Sequence, residues 1–115
     1  MKNYSRILCP AIILVFAFLF CKNVSAQSEA ADAKELFLEE KCNRCHSISS
    51  LNIENTGQKK ISDLSEVGSR FSTEFIAKYL NREEAIEGKK HLKNLKSEGA
   101  DIEALAKWLS TLKKK

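Results

Sequence analysis

Two cysteines and a histidine at a fixed spacing, Cys42-Asn43-Arg44-Cys45-His46, constrain this chain more than any other feature. Two thiols three residues apart can both bind the same partner, and the imidazole that follows the second thiol is a good metal ligand. The whole chain has only 115 residues and forms one domain at most. A domain of this size must fold around whatever the motif binds.

The start of the chain has the features of a secretory leader. Lys2 and Arg6 precede an apolar run of 15 residues, Ile7–Cys21, and the small residues Val24 and Ala26 stand at the −3 and −1 positions of a cleavage site after Ala26. The apolar run is shorter than the roughly 20 residues that a spanning helix needs. This order predicts a cleaved leader.

We expect residues 1–26 to be removed and residues 27–115 to form an exported domain with no stable membrane span. An uncleaved anchor and lipoprotein processing at Cys21 are the alternatives, although bulky Phe20 does not suit lipoprotein processing. Cleavage would leave Cys42 and Cys45 as the only cysteines, too few for a disulfide framework. It would also remove Met1, the only methionine.

The charge of the chain is modest. The sequence carries 19 basic and 15 acidic residues, a net charge of +4, and three of the basic residues but none of the acidic ones lie in the leader. The remaining domain therefore has a net charge of only +1, which is no nucleic-acid-binding signature.

Apolar positions at helical spacing predict three short helices. They run from about Ala30 to Lys41, from an N-cap at Ser72 to about Arg82, and from a cap at Asp101 to about Lys113. Residues 47–62 and 83–99 are predicted to be polar loops and turns, and no alternating strand pattern occurs. The chain is therefore all-α. Three short helices bury too little apolar surface for such long loops, so the middle of the domain needs another occupant.

Three kinds of site use Cys-x-x-Cys. A zinc site would need Cys42, Cys45, His46 and His91, but Cys45 and His46 are neighbours and the usual second pair of ligands is missing. A redox dithiol normally follows a strand in a βαβ unit, and no strand is predicted. The third kind is covalent haem attachment, whose signature is Cys-x-x-Cys-His. It predicts thioether bonds from Cys42 and Cys45, with His46 as an iron ligand, and one haem fills the middle of the domain.

From the motif outward, the chain resembles the small mono-haem cytochromes c of class I over residues 30–113. ADAKELFLEEKCNRCHSI is similar to their first helix and haem motif, ISDLSEVGSRFSTEFIAKYL to the segment before and through their middle helix, and EALAKWLSTL to their last helix. The resemblance implies a haem-centred all-α fold in which Phe37 packs against Trp108 where the first and last helices cross. Haem c would be the single cofactor.

Two departures from the family pattern concern the iron ligands. The proline whose carbonyl would orient the proximal histidine is absent, so we expect a carbonyl near Ile61 or Ser62 to accept from Nδ1 of His46. The usual distal methionine is also absent from residues 27–115. His91 lies in the loop where the family places that ligand, and we expect it to be the distal ligand.

Two alternatives at the sixth position stay open. One is a lysine ligand from the same loop, namely Lys89, Lys90 or Lys93. The other is an open, five-coordinate iron, which would leave Leu92 at the haem edge.

The expected function is one-electron transfer, and the protein is not expected to be an enzyme. A haem sensor or gas-binding cytochrome is the alternative if the sixth position is open or displaceable, whereas a peroxidase would need distal acid–base residues that the sequence does not supply. Acidic redox partners would dock on the lysines of the two loops, residues 47–62 and 83–99. These are Lys59, Lys60, Lys89, Lys90, Lys93 and Lys96. The leader and the haem motif together predict a bacterial periplasm.

Overall fold

The computed structural model describes residues 29–59 and 61–115, so the predicted leader, its cleavage after Ala26 and Lys60 lie outside the described residues. The helices are α1 (residues 29–39), α2 (Val67–Arg70), α3 (Thr73–Leu80) and α4 (Ala100–Ser110). In the described part of the chain no helix is long and apolar enough to cross a membrane.

Helices α1, α3 and α4 share one apolar core. Phe37 on α1 meets Trp108 on α4 edge to face, with ring centres 5.7 Å apart and ring planes at 65°, a favourable arrangement for two aromatic rings. This contact confirms the predicted packing of the first helix against the last. The other buried apolar side chains of the three helices are Ala33, Ile76, Leu80, Ile102, Leu105, Ala106 and Leu109.

Helix α3 begins as the sequence predicts, because the Oγ of Ser72 accepts a hydrogen bond from the backbone N–H of Phe75 at 3.2 Å. Its apolar stripe divides into two parts. Ile76 and Leu80 are buried in the core, whereas Phe75 and Tyr79 are half-buried. The half-buried pair leaves aromatic surface available beside the core.

Helix α4 begins two residues earlier than predicted. Gly99, with φ of 55°, occupies the N-cap position, and Asp101 lies inside the first turn instead of capping it. A positive φ turns the chain directly into the helix at a residue that has no Cβ, and the Asp101 carboxylate then complements the positive end of the helix dipole. The helix ends at Ser110, short of Lys113.

The segment Val67–Arg70, which the sequence does not predict to be helical, is a short helix. The N–H of Gly68 donates to the carbonyl oxygen of Leu112 at 2.8 Å, which fixes α2 against the chain that leaves α4. The structure therefore has four α-helices in its described residues, three of which the sequence predicts.

Four two-residue strands replace parts of the predicted loops. Strand β1 (His46–Ser47) pairs in parallel with β2 (Ser62–Asp63), with His46 opposite Ser62. Strand β3 (Ala85–Ile86) pairs antiparallel with β4 (Lys89–Lys90). Two residues are too short to show the alternating pattern that reveals a strand in a sequence, so these pairings were not predicted. They are nevertheless the elements that position the site.

Candidate haem site

The two cysteines of the motif lie at the two ends of a single tight turn. A 3₁₀ turn covers Cys42–Arg44, and the N–H of Cys45 donates to the carbonyl oxygen of Cys42 at 3.1 Å. Because a 3₁₀ helix has three residues per turn, residues i and i+3 share one face. Both cysteines are half-buried free thiols. Burial raises the pKa of the Cys42 thiol to about 11, so it remains protonated at neutral pH.

The loop after the motif lies directly on its backbone. The N–H of Thr56 donates to the carbonyl oxygen of Asn43 at 2.9 Å, and the N–H of Ile61 donates to that of Cys45 at 3.0 Å. Between them, a Cβ at Gly57 would overlap the carbonyl group of Arg44. The motif is thus held in its tight turn by backbone contacts from Thr56, Gly57 and Ile61.

His46 is held by strand β2. Its Nδ1 donates to the carbonyl oxygen of Ser62 at 3.1 Å, with the Ser62 hydroxyl at 3.2 Å. This confirms the expectation that a carbonyl near Ile61 or Ser62 replaces the missing proline carbonyl. Burial lowers the pKa of His46, which favours the neutral imidazole. With Nδ1 engaged, Nε2 is left as the ring nitrogen with a free lone pair.

A carboxylate that sequence reasoning missed fixes β2 in place. The Oδ2 of Asp63 accepts from the Ser47 hydroxyl at 2.8 Å and from the N–H of Ser49 at 3.1 Å, and it also binds the Ser49 hydroxyl. Its Oδ1 accepts from the N–H of Ser65 at 2.8 Å. Desolvation alone would raise the pKa of Asp63, but the hydrogen bonds from Ser49 and Ser65 outweigh it and hold this pKa well below its usual range.

His91 follows strand β4 and is half-buried. Its Nδ1 donates to the carbonyl oxygen of Lys93 at 2.8 Å. The ring of Tyr79 on α3 packs against the imidazole edge to face, with ring centres 5.4 Å apart and planes at 75°. His91 therefore has a fixed ring orientation, and its Nε2, like that of His46, retains a free lone pair.

The rings of the two histidines lie close together and are nearly parallel. Their ring centres are 6.4 Å apart and their planes are 13° from parallel. A first-row metal lies about 2 Å from an imidazole nitrogen, and the ring centre lies about 1 Å beyond that nitrogen. Two imidazoles on opposite sides of one metal ion therefore have ring centres about 6 Å apart. The observed separation and the two Nδ1–carbonyl bonds would allow both histidines to hold one metal ion between them.

A second carboxylate joins the His91 loop to the end of α1. Glu40 is only 5% exposed. Its Oε2 accepts from Nζ of Lys93 at 2.8 Å, and its Oε1 accepts from the N–H of Lys96 at 3.1 Å and from the N–H and hydroxyl of Ser97 at 2.8 and 2.7 Å. Desolvation would raise the pKa of Glu40, but the hydrogen bonds from Lys93 and Ser97 lower it to about 2.

The sequence contained one signal of this second carboxylate. Glu40 falls on the same helical face as Ala33, Leu36 and Phe37, and a charged residue on a core-facing stripe is seldom buried without a partner. Its partners lie more than 50 residues away, so the sequence does not identify them.

The predicted lysine surface is smaller than expected. Lys93 is tied to Glu40 and is half-buried, so it is not a free surface charge. Exposed lysines on the two loops are Lys59, Lys89, Lys90 and Lys96. Beside them, Leu92 is a largely exposed apolar side chain.

The described residues contain no group of three or more His, Cys, Asp and Glu side chains that could hold a metal ion. The four residues of the zinc alternative, Cys42, Cys45, His46 and His91, are therefore not gathered as zinc ligands. The site offers instead two opposed imidazoles beside two thiols on one turn.

Comparison with known proteins identifies the family. The family model for cytochrome c matches residues 30–113, which include the motif, both histidines and all four helices. Comparisons with curated proteins and with solved structures give no match. Proteins of this family fold as helices and loops around covalently attached haem c, exchange electrons with redox partner proteins and are generally electron carriers, not enzymes. On the strength of a match over most of its length, the chain belongs to the cytochrome c family and is a small haem-binding electron carrier.

Proposed function

We propose that this protein is an exported one-electron carrier whose single haem is held by Cys42 and Cys45 through thioethers and by His46 and His91 as axial ligands. The observation that carries the proposal is the pair of near-parallel imidazoles with ring centres 6.4 Å apart. When bound, haem iron supplies one-electron chemistry, alternating between its ferric and ferrous states.

The hydrogen bonds of both histidines support this assignment. Each Nδ1 donates to a backbone carbonyl, from Ser62 or from Lys93. Ligand histidines typically donate their second ring N–H in this way, which fixes the tautomer and makes the ligating nitrogen more basic. If the two histidines had separate roles, nothing would require both of them to bond through Nδ1 and to keep Nε2 free.

The ligand set predicts a low midpoint potential. Methionine raises the potential of a c-type haem, but Met1 lies in the predicted leader and residues 27–115 contain no methionine. Imidazole is a better donor than a thioether and stabilises ferric iron. We therefore expect a lower midpoint potential than in relatives with histidine and methionine ligands, and a potentiometric titration measures it.

The lysine alternative receives no support from Lys93. Its ammonium group binds the Glu40 carboxylate and the Glu40 backbone oxygen, and a lysine must lose its proton before it can ligate iron. Lys89 and Lys90 lie on the exposed strand β4. His91 is therefore the best candidate in its loop for the sixth position.

We further propose that acidic redox partners dock on the exposed lysines of the two loops, Lys59, Lys89, Lys90 and Lys96. Such pairing gives fast, weak association that slows as ionic strength rises.

The leader-like order of residues 1–26 supports export to a bacterial periplasm. The mass of the purified protein tests this proposal, because cleavage leaves a chain that starts at Gln27 and carries one covalent haem.

The visible spectrum of the reduced, haem-loaded protein without added ligand tests the ligation. A sharp low-spin α band in the wild type, lost in His91→Ala and kept in the neighbouring Leu92→Ala control, is the expected result. A high-spin wild-type spectrum that carbon monoxide turns into a low-spin one would contradict it. An open iron of that kind would make a sensor or gas-binding role the better description.

A further inference from the structure

Glu40 connects the two halves of the candidate site. It lies two residues before Cys42, at the end of α1, and α1 is fixed against α4 by the contact between Phe37 and Trp108. Its hydrogen-bond donors all come from residues 93–97, the segment that follows His91. One buried carboxylate thus joins the helix that leads into the haem motif to the loop that carries the second histidine.

Both oxygens of this carboxylate are used, each by a different part of the segment. Oε2 binds the ammonium group of Lys93, which also binds the backbone oxygen of Glu40. Oε1 binds two backbone N–H groups and one hydroxyl at Lys96 and Ser97. Five contacts between one residue and a five-residue segment fix the path of that segment in three dimensions.

The same segment holds the imidazole of His91. The carbonyl oxygen that accepts from its Nδ1 belongs to Lys93, the residue whose side chain ends on Glu40. Leu95, which is buried, also anchors the segment, but an apolar contact is not directional and does not fix where a carbonyl points. The hydrogen bonds to Glu40 are directional and supply that orientation.

We propose that Glu40 is the positioning residue of the distal ligand: by fixing residues 93–97 to the end of α1, it holds the Lys93 carbonyl where it orients His91 toward the haem iron. The inference rests on the proposed ligation by His91. Without this carboxylate, the ammonium group of Lys93 and the polar groups of Ser97 lose their buried partner, and His91 leaves the iron more often.

The rate at which carbon monoxide binds to the ferrous protein measures that departure. At saturating carbon monoxide, the binding rate equals the rate at which the internal sixth ligand dissociates. We expect Glu40→Gln to bind carbon monoxide about tenfold faster than the wild type or more, since hydrogen bonds to charged groups contribute more than neutral ones. Glu39→Gln, an exposed neighbour with the same change of charge, should keep the wild-type rate.

A core variant separates positioning from general destabilisation. Leu105→Ala leaves a cavity in the buried core and lowers the unfolding midpoint, but it touches neither Glu40 nor residues 93–97 by hydrogen bonding. We expect its carbon monoxide rate to stay within about twofold of the wild type. If it accelerates binding as much as Glu40→Gln does, general loosening explains the effect and the positioning role is wrong.

The outcomes separate this inference from the proposed ligation. A five-coordinate wild type, or a His91→Ala variant with an unchanged spectrum, refutes the ligation and the inference together. A six-coordinate wild type that depends on His91, combined with a wild-type carbon monoxide rate in Glu40→Gln, refutes the inference alone.

If Glu40→Gln fails to fold, Ser97→Ala is the second variant, because it keeps the carboxylate and removes one hydrogen-bond donor. A severalfold faster binding of carbon monoxide supports the positioning role, and an unchanged rate overturns it.

Discussion

Gly57 lies so close to Arg44 that a Cβ at position 57 would overlap the Arg44 carbonyl oxygen. The contact is between two backbone segments, so neither can move aside by changing a rotamer. It holds the chain at Thr56 and Gly57 on the turn that carries the two cysteines. The tight shape of the motif therefore depends on a residue without a side chain, twelve positions beyond its last cysteine.

Gly57→Ala should destabilise the haem-loaded protein by about 1–3 kcal/mol, the usual cost of forcing a methyl group into a filled space. Guanidinium denaturation followed by the Soret band measures the change. Gln58→Ala, an exposed change at the next position, is the control and should cost less than about 0.5 kcal/mol. Equal losses in the two variants would mean that the overlap with Arg44 is relieved easily.

Replacing Phe37 should be far more costly than replacing its neighbour Leu38. Phe37 is buried against Trp108, and Phe37→Ala should lower the free energy of unfolding by about 3–5 kcal/mol. Leu38 is 42% exposed, and Leu38→Ala should lower it by less than about 1 kcal/mol. Chemical denaturation of both variants provides the comparison, and similar losses would contradict the crossing of α1 and α4 at Phe37.

Protonation of Glu40 in acid should lower the free energy of unfolding of the protein. The pKa of its carboxyl falls from 4.5 to about 2 on folding, so the stabilisation is complete above pH 4.5 and is lost as the pH falls toward 2. At about 1.4 kcal/mol for each unit of pKa, the loss is about 3 kcal/mol. Free energies of unfolding measured between pH 6 and pH 2 should fall less steeply in Glu40→Gln than in the wild type.

The comparison isolates Glu40 from other acid-sensitive groups. Asp63 also has a lowered pKa and contributes the same slope to both proteins, as does protonation of the histidines. Parallel curves for the wild type and Glu40→Gln would show that Glu40 has an ordinary pKa and lacks the buried partners described above.

Asp63→Asn should loosen the β1–β2 pair. The variant weakens the hydrogen bonds that Asp63 accepts from Ser47, Ser49 and Ser65, and we expect the free energy of unfolding to fall by about 1–3 kcal/mol. Asp32→Asn, an exposed change on α1, should alter it by less than about 0.5 kcal/mol. Hydrogen exchange at the N–H of Leu64, which donates to Ser47, should accelerate in Asp63→Asn only.

The helices and the family could be predicted from the sequence because their signals are local. Ala33 and Phe37 recur at helical spacing, as do Leu105 and Trp108, the Ser72 cap precedes its helix directly, and the haem motif spans five residues. A carbonyl near Ile61 or Ser62 was predicted for a different reason, since a ligand histidine needs a second hydrogen-bond partner and the neighbouring chain supplies one. The ligand roles of His46 and His91 stay predictions.

The remaining features depend on contacts between distant parts of the chain. Glu40 meets Lys93 across 53 positions and Ser97 across 57, and no local pattern marks such a pair. Strands β1 and β2 have two residues each, too few for a periodic signal. The start of α4 was misplaced because Asp101 is a common N-cap residue, whereas the actual position, Gly99, is recognisable only from its backbone angle.

The hydrogen bond from His46 to Ser62 runs to the main chain and not to a side chain that a substitution could delete. Exchanging Ser62 for another amino acid retains the acceptor, whereas a slip of β2 by one residue against β1 would put a different group opposite the imidazole. In distant relatives, the pairing of these two strands should therefore vary less than the identity of the residue opposite His46.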